Sequence, residues 1–321
     1  MASAPAVAAA PSTTGSASDA DPTTVDDADA AASTRVPRLG VVGPVAWPSA
    51  YEDVIGFTLW PKQYGSRLGA HGMGDVLSTA LAPSRAIAAR TRQANAGEPG
   101  QAMTEPAACG SIDLTAEDWP IGEITSTVEL NDIQSGKLNQ LRMSMSDAIA
   151  SIKSTCLDDS TLGPVERLRA MQNSLWAVQD AVQLTRTPLS EFYASLTEEQ
   201  QRTFAAPPQP AARMGRADIA RMCDLPAGTD APMKQIEHAL RPTKPQKASL
   251  DALQKTASEM GQMLMQTCLA PMPATPVERL DAAANRLTAV IFAATNVNVA
   301  LDDFASQLRD DQKTKLNSLV R

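Results

Sequence analysis

Apolar positions recur with a helical period over most of the second two-thirds of the chain. Leu168, Leu175, Val182, Leu189 and Leu196 are spaced by seven, and Met171, Val178, Thr185 and Phe192 fill the interleaved positions. Leu280, Leu287, Ala294, Leu301 and Leu308 repeat the spacing, with Ala283, Val290, Val297 and Phe304 between them. Each stripe predicts a long amphipathic helix lying along a partner helix. The preceding segments supply those partners: Leu138, Leu141, Met145, Ile149 and Ile152 before the first, and Leu250, Leu253, Ala257, Met260 and Leu264 before the second. Short connections make each pair antiparallel. Pro188 falls inside the first long helix and predicts a kink, because it lacks an N–H and crowds the turn before it; its counterpart is Ala300.

The two stripes are copies of one another. PVERL stands at 164–168 and again at 276–280, an offset of 112 that needs no gap from Pro120 and Pro232 to Phe204 and Leu316. Along it Ile124 matches Ile236, Asn173 matches Asn285, Phe192 matches Phe304 and Gln200 matches Gln312. The second half is therefore a diverged duplicate of the first. PVERL itself reads as a helix start. Pro164 and Pro276 suit the first helical position, Thr275 can cap with Glu278, and Gly163 and Glu166 hold the same places in the first copy.

Upstream of the repeats the pattern breaks. Residues 1–35 are Ala, Ser, Thr, Asp and Pro with almost nothing to bury, which predicts a disordered tail. Trp47, Tyr51, Phe57, Trp60 and Tyr64 then crowd together. They read as a small helical or hairpin element docked on the helical core, with a surface for a partner or a membrane face as the alternative. The expected organisation is a tail (1–35), an aromatic-rich docking segment (36–81), a linker (82–108), a first helical repeat (109–207) and a second (208–321). The fold class is all-α.

Composition narrows the function. Aromatics are only 4% of residues, which suits helices packed by aliphatic side chains rather than a β-sandwich. The formal net charge is −8, and five aspartates with no Lys or Arg lie in residues 1–34, leaving −3 for the rest. No basic stripe interleaved with aromatics appears, so no nucleic-acid partner is expected. No stretch reads as long and apolar enough to cross a membrane. His71 and His238 stand far apart and outside any paired-ligand spacing, so neither a metal nor another cofactor is expected. No histidine accompanies a Ser, Cys or Asp cluster, and GAHGMGD lacks a strand–helix context, so no catalytic residues are assigned.

The four cysteines fall one pair per half: Cys109 and Cys156, then Cys223 and Cys268. No C-x-x-C is present. Three pairings are open; Cys109–Cys156 with Cys223–Cys268 gives each half the same staple, and four free thiols in a cytosolic core is the alternative. No signal peptide is read at the start, which stands against the secreted reading of the cysteines.

Four capping boxes open four helices. LTEEQ places Leu196, Thr197 and Gln200 at 196–200, and LRDDQ places Leu308 and Gln312 in the second copy, with Arg309 where the threonine was. Earlier in each copy stand Asn131 with Gln134 and Thr243 with Gln246. In such a box the cap side chain takes the N–H of the third helical residue, whose own side chain returns to the cap's N–H. This recurrence resembles the LTXXQ motif family, the Spy/CpxP-like periplasmic proteins, over roughly residues 120–319. The aromatic segment at 47–51 is similar to one that family members carry. Only residues 196–200 fit the full motif; the other boxes depart at the leucine or the threonine.

The resemblance implies an ATP-independent chaperone or envelope-stress protein of the periplasm. Its partners would be unfolded or misfolded envelope proteins and a membrane stress sensor. The family's cradle-shaped dimer implies either an intramolecular pseudo-dimer of the two copies or a homodimer. Off-seam Met143, Met263 and Met265 are the candidate client-binding residues, since flexible thioethers suit promiscuous surfaces. A non-catalytic adaptor docking through residues 47–64 and a metal-responsive sensor of the same family are the alternatives.

Overall fold

The computed structural model describes residues 50–60, 76–81, 120–155, 162–204, 230–266 and 273–318. All lie within the compact unit Val36–Arg321, and the regular structure among them is helical throughout. The helices are α1 (Ala50–Leu59), α2 (Val76–Leu81), α3 (Ile121–Thr127), α4 (Asp132–Ser154), α5 (Pro164–Ser195), α6 (Glu198–Phe204), α7 (Asp230–Leu240), α8 (Lys244–Gln266), α9 (Pro276–Ser306) and α10 (Asp310–Ser318). Cys109, Cys156, Cys223, Cys268, His71, the tail 1–35 and the linker 82–108 lie outside the described residues.

The duplication is repeated in three dimensions. The starts of α4 and α8, of α5 and α9, and of α6 and α10 each stand 112 residues apart. Every heptad residue of α5 and α9 named above is buried. Each large aliphatic side chain so removed from water stabilises the fold by about 1.5–3 kcal/mol. Within the first repeat the hairpin is antiparallel. Lys137 pairs with Glu191, and seven residues further on, Ser144 meets Leu184, seven residues back.

The two long helices also pack on each other, so the packing order is α4, α5, α9, α8. The amide of Gln172 donates to Thr295 Oγ1 at 3.0 Å and that of Gln179 to Thr288 Oγ1 at 3.3 Å, while Arg186 pairs with Asp281. Each step of seven along α5 moves the partner back by seven along α9. The central pair is therefore antiparallel, and equivalent parts of the two repeats meet near its middle.

α5 runs unbroken through Pro188. Proline removes the N–H that would serve the carbonyl four residues before it, that of Leu184. The Ser144 hydroxyl on α4 donates to that carbonyl at 2.8 Å. The neighbouring helix thus satisfies the acceptor that the proline strands.

The described part of the aromatic segment is core. In α1 and just after it, Tyr51, Val54, Ile55, Phe57, Leu59 and Trp60 are all buried, against α9 and α5. Tyr51 hydrogen-bonds Thr185 of the first repeat, while Arg279 of the second reaches the end of α1. α1 therefore straps the two repeats together. These aromatics offer no surface to a partner; Trp47 and Tyr64 lie outside the described residues.

One helix is more apolar than the pattern along the chain predicts. α9 (Pro276–Ser306) is, by length and composition, apolar enough to cross a membrane. Its position explains why. It packs against α5 and α8 and beneath α1 and α2, so several of its faces carry apolar side chains.

Candidate functional site

The four boxes do more than start helices. At Asn131 the side chain accepts from the Gln134 N–H at 2.9 Å, and Gln134 Oε1 accepts from the Asn131 N–H at 3.0 Å. Thr197 and Gln200 make the same reciprocal pair, at 3.2 and 2.9 Å. Both glutamine amides then have their NH2 groups left over. Gln134 donates to the Ser195 carbonyl at 2.8 Å and to Gln200 Oε1 at 2.9 Å. Gln200 donates to the Glu129 carbonyl at 2.6 Å and to Gln134 Oε1 at 3.0 Å.

The second repeat builds the same unit. Gln246 donates to the Gln307 carbonyl at 2.7 Å and to Gln312 Oε1 at 2.9 Å. Gln312 donates to the Leu240 carbonyl at 3.1 Å and to Gln246 Oε1 at 3.2 Å. Their oxygens accept from the backbone N–H groups of Thr243 and Arg309. Each amide oxygen thus takes two donors, and each NH2 serves one backbone carbonyl and one glutamine.

These clasps close the open ends of the two hairpins, opposite the connections from α4 to α5 and from α8 to α9. The leucines support them: Leu196 and Leu308 are buried beside the clasp, as is Leu240. Sequence reasoning found all four boxes but not that they meet in pairs. The available signal was that Gln134 and Gln200, and Gln246 and Gln312, are the same 66 residues apart.

PVERL also carries more than its cap. α9 opens with Thr275 as N-cap in a reciprocal box with Glu278, and α5 opens on Gly163, which offers no side chain. The Thr275 backbone N–H, aided by its hydroxyl, holds the Glu278 carboxyl below its usual range. The arginine of the motif is buried in both copies, Arg167 and Arg279. Arg279 donates to the Thr58 carbonyl at 2.6 Å and to the Ala274 carbonyl at 2.7 Å, with a longer contact to Leu59. A cation at the end of α1 meets carbonyls that have no helical donor, at the negative end of the helix dipole. Burial pushes its guanidinium down to about 10.

The three candidate methionines do not come together. Met143 lies on α4 and Met263 and Met265 on α8, the two outer helices of the packing order. Met143 and Met265 are exposed, whereas Met263 is half-buried against the core. The larger exposed apolar groups are elsewhere: Trp176 on α5 and Phe292 on α9 are more than half exposed, at 53% and 56%. Trp176 lies between Gln172 and Gln179, and Phe292 between Thr288 and Thr295. Both therefore sit on the outer stripe of the central pair, on either side of its seam. Among the described residues no group of His, Cys, Asp or Glu gathers as a metal site.

A family model, that of the LTXXQ motif family protein, matches residues 116–207 and again residues 228–320. No curated protein and no solved structure matches the chain.

Proposed function

Because the chain belongs to the LTXXQ motif family, with the family unit present twice, we propose that it is a periplasmic, ATP-independent chaperone. In this reading it holds unfolded or misfolded envelope proteins on a helical surface, without catalysis. The observation that carries it is the joining of two family units in one chain by the antiparallel pairing of α5 and α9. That pairing supports an intramolecular pseudo-dimer, in which the second copy takes the place of a second subunit. Exposed apolar side chains on the central helices α5 and α9, among them Trp176, Leu184, Phe292 and Val299, are consistent with a surface that accepts unfolded chains.

The test is suppression of aggregation. Guanidinium-unfolded lysozyme is diluted into reducing buffer with an equimolar amount of the protein, and light scattering is followed without ATP. The expected result is a lower plateau. Scattering unchanged from that of lysozyme alone would remove the chaperone reading. Mass measurement in solution distinguishes the assemblies: a monomer active at low concentration fits the pseudo-dimer, and activity confined to a dimer does not.

A further inference from the structure

The outer stripe of the central helix pair has a defined length, chemistry and centre. It is bounded by two ion pairs that bridge the repeats, Arg169–Asp302 and Arg186–Asp281. Between them α5 advances by 17 residues, which is about 25 Å at helical rise. Near the middle stand Trp176 and Phe292, flanked by the amides and hydroxyls of Gln172, Gln179, Thr288 and Thr295. Tyr51, Phe57, Trp60, Phe192, Phe204 and Phe304 are all buried. In a chain so poor in aromatics, two of them exposed at facing positions call for a reason beyond packing.

We infer that this stripe is the client-contact surface, and that its occupant is an extended, non-acidic polypeptide segment bearing aromatic or long aliphatic side chains. The inference rests on the chaperone reading and names its site. Charge selects the occupant. Both arginines of the stripe are already paired with carboxylates, so no cation is offered to a phosphate or an acidic peptide. Asp180, exposed on the same stripe, disfavours an acidic segment further. Length agrees: about 25 Å accommodates about seven or eight extended residues. Chemistry agrees too. An extended backbone needs hydrogen-bonding groups along its path, and its apolar side chains need large, rigid anchors such as Trp and Phe.

The experiment compares three forms of the full chain in the lysozyme assay: wild type, W176S/F292S, and M143S/M265S. All four positions are exposed, so far-UV circular dichroism and Tm should stay close to wild type in each variant. The expected result is that W176S/F292S needs roughly ten times more protein for half suppression, while M143S/M265S stays within about twofold of wild type. If wild type suppresses aggregation and W176S/F292S does so equally well, the stripe is not the contact surface, while the chaperone reading stands. An equal loss in M143S/M265S would overturn the assignment to this stripe in the same way. If wild type itself fails, the chaperone reading falls and this inference with it.

Discussion

The second box of the first repeat is built from Leu196, Thr197 and Gln200; that of the second repeat from Leu308, Arg309 and Gln312. Threonine returns a hydrogen bond to its glutamine and arginine does not: Arg309 turns its guanidinium to Asp311 instead. The clasp is nevertheless complete in both repeats. The glutamine is therefore the indispensable member of the motif, because only a primary amide supplies two donors and a doubly accepting oxygen on one planar group. The cap residue tunes the start of one helix, whereas the glutamine ties two helix starts together. Asn131 and Thr243, at the first box of each repeat, show the same tolerance at the cap.

The sharpest test of that distinction carries the largest expected effect. Gln312 is fully buried, and its removal strands the Leu240 carbonyl, the Arg309 N–H and half of the Gln246 amide. Gln312→Ala should cost about 2–4 kcal/mol, read from urea denaturation. Gln200, only half-buried, can be replaced in part by water, so Gln200→Ala should cost about 1–2 kcal/mol. Thr197→Ala should cost about 1 kcal/mol or less. Gln246→Ala should add little to Gln312→Ala, since both break one clasp, whereas Gln134→Ala should add in full. Equal costs for Thr197 and Gln312 would show that the boxes act only as caps.

Much of this fold was legible in sequence because helices advertise themselves by period. The heptads of α5 and α9, their partner helices and the offset of 112 all come from side-chain spacing; the heptads are buried, and the partner residues are buried too except Ile149, Ala257 and Met260, which are half-buried against the core. What sequence did not show is long-range and polar. Nothing local in Gln134 says that its partner is Gln200 rather than water. Arg279 reads as an ordinary charge after the proline of a helix start, yet its acceptors lie 221 and 220 residues away at Thr58 and Leu59. The methionines were chosen for flexibility, but the largest exposed groups on the central pair are Trp176 and Phe292. Those sit on the stripe opposite the heptad core, where periodicity predicts only that a residue is exposed.

A second contrast concerns how α1 is held. The first repeat holds it by the Thr185 hydroxyl, bonded to the Tyr51 phenol of α1, and the second by the guanidinium of Arg279. Burial pushes the Tyr51 hydroxyl above its ordinary value of 10.0, and the bond to Thr185 offsets part of that. The folded state therefore keeps this proton more tightly than the unfolded chain does. The resulting stability is fully present below pH 10 and is lost as pH climbs from there towards the raised folded value. Tyr51→Phe should cost about 1 kcal/mol near neutral pH and flatten the alkaline decline. Denaturation curves at several pH values up to 11 check this. A decline equally steep in both proteins would place its origin in other groups.

The proline asymmetry isolates one hydrogen bond. The first repeat has Pro188 and a serine, Ser144, serving the stranded Leu184 carbonyl; the second has Ala300, whose N–H is intact. Ser144→Ala should cost about 1 kcal/mol, and Pro188→Ala should abolish most of that cost by restoring the helical donor. Thr256→Ala, at the matching position of the second repeat, should change stability by less than about 0.5 kcal/mol. If Ser144→Ala costs the same with and without Pro188, the hydroxyl serves some other purpose.

The smallest effects belong to the ion pairs across the seam. Arg186–Asp281 and Arg169–Asp302 lie one near each end of the central pair, and all four side chains are well exposed. Solvent screens such pairs, so Arg186→Gln and Arg169→Gln should each lower stability only slightly, with Arg186→Gln the larger effect because its contact is bidentate. Both costs should shrink in 1 M salt, where screening acts within about 3 Å. The apolar seam beneath, with Val178, Val182 and Val290 buried, should then hold the repeats together almost unaided. If either variant instead splits the protein into separately melting halves, the union of the repeats depends on charge at their rim. The heptads would then account for each hairpin, but not for the joining of the two.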